Sequence, residues 1–165
     1  MSSKIRTAVI PGSFDPVTVG HLDVIERAAA MFDSVYVTAF SNADKKGSMF
    51  SSDEKLHMLQ LATAHLDNVI CSVETGLTAV FAKEHDAVIV KGIRNTTDLD
   101  YEMSMYGINR AVEGVDTLFI PSKQEYMHIS STFVREMLRY EHEFEGLVPA
   151  PVYRYLCEEW KKSHH

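Results

Sequence analysis

The chain has 165 residues, 45% hydrophobic and 24% charged. That length suits one domain with its own core, and the composition is ordinary for a globular protein. A formal net charge of −7 argues against a general nucleic-acid surface, and no apolar run approaches the ~20 residues of a membrane span.

The first apolar run, residues 7–10, reads as a strand that Pro11 and Gly12 stop. Asp15-Pro16 adds a turn signal. After Gly20 the period becomes helical, with Leu22, Ile25, Ala29 and Phe32 on one face. Residues 34–40 are rich in β-branched and aromatic side chains and read as the second strand. A polar loop at 41–50 carries Lys45 and Lys46. Ser51-Ser52-Asp53-Glu54 has the form of a capping box opening a helix to about residue 65. The third strand is expected at 69–73, followed by a helix to about 85. Ala87-Val88-Ile89-Val90 is a continuous apolar run, the mark of a central parallel strand. A long helix is expected over 99–112, a fifth strand over 117–120, and a helix capped by Ser130 or Ser131 running to 140. A terminal helix is expected over 152–161. Residues 163–165 read as an appended tail and are set aside.

Strands alternating with helices predict one α/β domain over 1–162, a doubly wound, Rossmann-like, five-stranded parallel sheet with helices on both faces. Ligands of such sheets sit beyond the carboxyl ends of the strands. The chemistry-bearing residues all fall there: Ser13 and Phe14 after strand one, the lysine loop after strand two, Leu77 and Thr78 after strand three, Lys91-Gly92-Ile93-Arg94 after strand four, and residues 126–132 after strand five. His21 follows a glycine at a helix N-terminus, where free amides suit phosphate. The helix dipole there disfavours imidazolium, so a neutral His21 can donate N–H to a phosphate oxygen. Two cations at one strand end, Lys91 and Arg94, call for an anion. Ser130-Ser131-Thr132 could serve as an N-cap alone, but with Arg135 one turn on they also form a phosphate clamp. Asp15 reads as an ordinary loop carboxylate.

Cys71 and Cys157 lie far apart without metal-ligand spacing. They read as free thiols of a reducing cytosol. Residues 1–7 lack the apolar core of a signal peptide, and a cytoplasmic protein is expected.

Thr18-Val19-Gly20-His21 resembles the (H/T)xGH signature of the nucleotidylyltransferase superfamily, and Ile129 to Arg135 its ISSTxxR signature. The Thr form of the first motif, Pro11-Gly12-Ser13-Phe14-Asp15-Pro16 before it, and Lys91 to Arg94 between the motifs resemble the bacterial phosphopantetheine adenylyltransferase family over nearly the whole chain. The resemblance implies transfer of the adenylyl group of ATP to 4′-phosphopantetheine in coenzyme A biosynthesis, with Mg²⁺ carried on ATP and metal ligands left unassigned. It implies that His21 stabilises the pentacovalent α-phosphate, with Lys45, Lys91 and Arg94 completing the catalytic set; Lys46 is the alternative loop lysine. It assigns ATP binding to Ser13, Phe14, His21, Gly92, Ile93, Arg94, Glu102, Tyr126, Met127, His128, Ile129, Ser130, Ser131 and Thr132. It assigns acceptor binding to Ser13, Lys45, Leu77, Thr78, Lys91 and Asn109, with Met105 and Ile108 as further lining. It further implies a homohexamer built from two trimers and coenzyme A as a feedback ligand. Two alternatives stay open: a sister transferase acting on nicotinamide mononucleotide or glycerol 3-phosphate, and a non-catalytic adenine-nucleotide sensor.

Overall fold

The computed structural model describes residues 4–41 and 47–164. Five strands, β1 (Thr7–Gly12), β2 (Ser34–Phe40), β3 (Val69–Glu74), β4 (Ala87–Ile93) and β5 (Thr117–Pro121), form one sheet in the order β3-β2-β1-β4-β5. Every pairing is parallel. The helices between them are α1 (Val19–Met31), α2 (Ser52–Thr63), α3 (Thr78–Glu84) and α4 (Thr96–Glu113). Beyond the sheet come α5 (Ser131–Arg139), α6 (Ala150–Tyr155), a π-helical turn at Leu156–Trp160, and α7 (Lys161–His164). The expected doubly wound α/β sheet is the observed one.

Alternation along the central strands divides the core in two. Ala8, Ile10, Val35, Val37, Val88 and Val90 join Val24, Ile25, Met58, Leu59, Val134, Val152 and Leu156 in the larger cluster, supplied by α1, α2, α5, α6 and the π-helical turn. The residues between them on the strands, Val9 and Ile89, face a second cluster of only five buried side chains, completed by Ala82, Ala87 and Val115. The side of the sheet toward α3 and α4 is therefore thin. All 18 residues of α4 escape full burial.

Several boundaries differ from the sequence reading. β1 does not stop at Ile10: Pro11 and Gly12 remain paired with Thr38 and Ala39 of β2. The β1–β4 ladder ends at Val9–Ile89, so Pro11 lies where the strand is paired on one side only and its missing N–H is tolerated. α4 starts three residues early because Asn95 caps it, its side chain accepting the Asp98 N–H at 2.9 Å. α6 starts at Ala150, with Pro151 in the first turn, where a missing N–H costs little. Ser163 and His164, set aside as tail, form the end of α7. The Ser163 hydroxyl donates to the Glu159 carbonyl at 3.0 Å, and the His164 ring stacks on Trp160 at 4.6 Å.

Gly92 fixes how closely α1 lies on β4. A Cβ at this position would meet Cγ2 of buried Val24 at 2.8 Å. Gly92→Ala is expected to destabilise the fold by about 1–3 kcal/mol through overpacking, and Val24→Ala in the same chain should recover part of the loss. Urea unfolding checks this; an unchanged midpoint for Gly92→Ala contradicts it.

Candidate active site

β1 and β4 pair only from Thr7–Ala87 to Val9–Ile89 and then diverge. Beyond that point β1 stays with β2 and β4 stays with β5. This is the topological switch of the sheet, where open α/β proteins bind ligands. A cavity of about 360 Å³ opens there, walled by Ile10 to Gly12 from one strand and Val90 to Gly92 from the other. A second cavity, about 280 Å³, lies on the thin side under α4. Pro11, Gly12, Ser13, Lys91 and Glu102 belong to both walls.

The loop leaving β1 is held by buried polar contacts. Phe14 adopts φ 45° and lays its buried ring over Gly12, where a Cβ would stand 3.0 Å from Cε2. Asp15, 5% exposed, is far more than the loop carboxylate expected. It accepts from the Ser48 hydroxyl, the Met49 amide and the Phe50 amide, each at 3.0 Å. Arg135 donates to the Asp15 carbonyl at 2.8 Å and stands 3.6 Å from its carboxylate. Ser131 donates to the Pro16 carbonyl at 2.7 Å. The second signature motif is thus bonded to the Asp15-Pro16 segment that leads into the first.

His21 has a defined tautomer. Thr18 is the N-cap of α1, and its hydroxyl accepts the His21 N–H at 3.2 Å. In return the Thr18 N–H donates to His21 Nδ1 at 3.0 Å. The pair forms a capping box in which histidine replaces the usual Glu. Nδ1 must be unprotonated to accept, so the ring proton sits on Nε2. The Phe14 ring stands edge-on to the imidazole at 5.0 Å. Burial, then the charges of Lys91 and Arg94, lower the His21 pKa to about 4. The imidazole is neutral at physiological pH and carries one N–H donor.

The two strand-four cations are both engaged. Lys91 Nζ lies 3.2 Å from Glu102. Arg94 is gripped by Asp98 and also donates to the Ile129 carbonyl at 3.3 Å. At the start of α5, Ser130 accepts the Phe133 N–H at 3.1 Å and Thr132 accepts from Arg135 at 3.2 Å. Accepting leaves each of these hydroxyls its own O–H to donate.

The first cavity brings together Ser13, Phe14, His21, Lys91, Gly92, Arg94, Glu102, Ile129, Ser130, Ser131 and Thr132. Tyr126, Met127 and His128 are outside its walls, as is Ile93, whose carbonyl accepts from the Ser122 amide at 2.8 Å. Tyr126 still stands close: a Cβ on Gly20 would lie 3.8 Å from it. The second cavity is walled by Ser13, Thr78, Lys91, Met105 and Asn109, joined by Tyr101 and Tyr106, which the sequence did not single out. Leu77 and Ile108 are exposed, at 60% and 53%, and do not line it. Lys45 and Lys46 lie outside the described residues. The side chains that hold the site but were missed are Thr18, Asp15 and Asp98. The Asn95-x-x-Asp98 spacing was a readable capping signal; Asp15 had no local signal.

A titration of the His21 ring checks this geometry. Followed by NMR, its midpoint is expected near pH 4. Unfolded chain binds the proton near pH 6.5, so the neutral ring's contribution to stability is complete above that value and is lost as pH falls toward 4. Arg94→Ala should move the midpoint up only part of the way, because burial is the larger cause. A midpoint near 6.5 in the intact protein contradicts the assignment.

A family profile described as cytidylyltransferase-like matches residues 9–137, a span containing every wall of both cavities. A phosphopantetheine adenylyltransferase of Symbiobacterium thermophilum is 46% identical over 158 residues, covering 94% of this chain and 97% of that relative. One of Corynebacterium glutamicum is 38% identical over 158 residues, covering 95% and 99%. With the second motif bonded to the segment that leads into the first, and the match running through both, the chain belongs to the cytidylyltransferase-like family, among the relatives named phosphopantetheine adenylyltransferase.

Proposed function

We propose that this protein transfers the adenylyl group of ATP to 4′-phosphopantetheine, giving dephospho-coenzyme A and pyrophosphate. The observation that carries the reading is the pair of cavities sharing Lys91, with a neutral, Nε2-protonated His21 in the first. Two ligands that must exchange a phosphoryl-centred group need such a common wall. ATP takes the first cavity and the acceptor arm the second.

An oxygen of the acceptor phosphate attacks the α-phosphorus, and the bond from that phosphorus to the pyrophosphate oxygen breaks. The nucleophile is already an anion, so no general base is needed. His21 donates its Nε2 proton as a hydrogen bond to the α-phosphate oxygen, where charge develops. Lys91 and Arg94 neutralise the approaching phosphates and hold them in line. The O–H donors of Ser130 and Thr132, with the amides at the start of α5, receive the β- and γ-phosphates. Lys45 is assigned to the acceptor phosphate on family resemblance alone.

Magnesium belongs to this proposal as a companion of ATP. Among the described residues no cluster of three His, Cys, Asp or Glu side chains could cage an ion. The carboxylates in the first cavity, Asp98 and Glu102, are paired with Arg94 and Lys91. The donor set suits an ion held mainly by substrate phosphates. When bound, it supplies charge neutralisation on the triphosphate.

A homohexamer is also proposed. α4 supports it: Leu99, Tyr101, Met103, Ile108 and Val112 are all exposed on a helix with no buried residue. A cytoplasmic location accords with the described residues, which contain no helix long and apolar enough to cross a membrane.

Pyrophosphate release from ATP tests the function against an acceptor panel. Phosphopantetheine should support turnover; pantetheine without its phosphate, nicotinamide mononucleotide and glycerol 3-phosphate should not. His21→Ala should lower kcat by a factor of about 10²–10³ while ATP affinity stays near that of the intact protein. Turnover with nicotinamide mononucleotide or glycerol 3-phosphate, and none with phosphopantetheine, would transfer the protein to a sister activity.

A further inference from the structure

Arg94 is the cation whose geometry is most completely specified. Its Nε donates to Asp98 Oδ2 at 3.0 Å and its Nη2 to Oδ1 at 3.3 Å, a side-on, two-pronged grip. The Arg94 backbone amide donates to the same Oδ2 at 3.1 Å. Nη1 donates to the Ile129 carbonyl at 3.3 Å. A guanidinium has five N–H donors. Three are engaged by Asp98 and Ile129, which leaves two, one on each terminal nitrogen, at the wall of the first cavity.

Asp98 is placed for this by the helix start. Asn95 caps α4, so Asp98 is its third residue. In a capping box the third residue's carboxylate reaches back to the cap's own amide. Here it reaches one residue further, to Arg94, and takes the guanidinium as well. Four residues on, Glu102 meets Lys91 at 3.2 Å, so the same face of α4 addresses both cations.

We infer that Asp98 is a positioning residue for phosphate binding: it locks the Arg94 guanidinium so that its two remaining N–H donors face the nucleotide phosphates. The inference rests on ATP occupying the first cavity, as proposed above. Two simpler roles make different demands. As a helix-start charge alone, Asp98 would act equally whether or not Arg94 is present. As a negative charge beside a phosphate site, it would weaken ATP binding, and its removal would strengthen it.

Calorimetry of ATP binding separates these roles in the full chain, using the intact protein, Asp98→Asn, Asp98→Glu, Arg94→Ala and the Asp98→Asn/Arg94→Ala double variant. Asp98→Asn keeps the shape but loses the charge and one acceptor, and should weaken ATP binding by about tenfold, the scale of a hydrogen bond to a charged group. In the Arg94→Ala background the same change should matter less than about twofold. Asp98→Glu, which keeps the charge but moves the carboxylate by one methylene, should also weaken ATP binding with the fold intact by circular dichroism. Equal losses in both backgrounds, tighter binding by Asp98→Asn, or intact-protein affinity in Asp98→Glu overturns the inference. If Asp98→Asn does not fold, the Asp98→Glu result decides alone. Because binding is read without turnover, absence of adenylyl transfer to phosphopantetheine defeats the proposed function and leaves this result standing; failure of the intact protein to bind ATP defeats both.

Discussion

The carboxylate of Asp15 is the contact on which the site's architecture depends. Buried at the mouth of the sheet, it gathers donors from the segment entering α2 and stands beside Arg135 of α5. A charge withdrawn from water is tolerated only when its lone pairs are satisfied, so three chain segments are held to one point. The connection continues outward. Phe50, whose amide Asp15 receives, packs its ring against Trp160 at 5.0 Å, and Trp160 stacks on His164. The loop that shapes the first cavity is therefore braced through Trp160 by the π-helical turn and α7.

Thr18 and His21 show how local helix chemistry sets the state of a cavity side chain. The exchange of bonds between them is an ordinary solution to the unsatisfied amides at a helix start. Using histidine in place of a carboxylate has a further effect: the cap consumes Nδ1 and leaves Nε2–H as the ring's one donor at the wall of the first cavity. Protonating the ring would break the cap bond, add charge beside Lys91 and Arg94, and place that charge in a poorly solvated position. Structure and ionisation state are thus fixed by the same contacts.

What could be read beforehand follows the range of the interactions. Alternating strand and helix periods revealed the parallel sheet, and the apolar run at Ala87 to Val90 marked its buried centre. Ser13, Phe14, Lys91, Gly92 and Arg94 of the first cavity were legible because they stand at strand ends, where the topology must collect ligands. Boundaries governed by capping were misplaced: α4 begins at Thr96 because Asn95 reaches forward, a contact worth little in a hydrophobic pattern. Asp15 was undervalued because its partners are over 30 residues away. Phe14, expected as a ligand contact, does line the first cavity, although its side chain is almost wholly buried. For Ile108, helical spacing alone could not say which side of the thin layer it would face.

The divergence of β1 from β4 beyond Val9 has a consequence for how such a protein can change over time. The first cavity exists because two strands part company, so its place is set by the topology of the sheet. The side of the sheet that carries the larger cluster is deeply packed, whereas the thin side rests on five buried side chains and a helix that buries none. Substitutions along α4 therefore disturb little of the core. Such a scaffold can change the lining of the second cavity at Tyr101, Met105, Tyr106 and Asn109 of α4, while Asp98 and Glu102 on the same helix stay tied to the cations of the first.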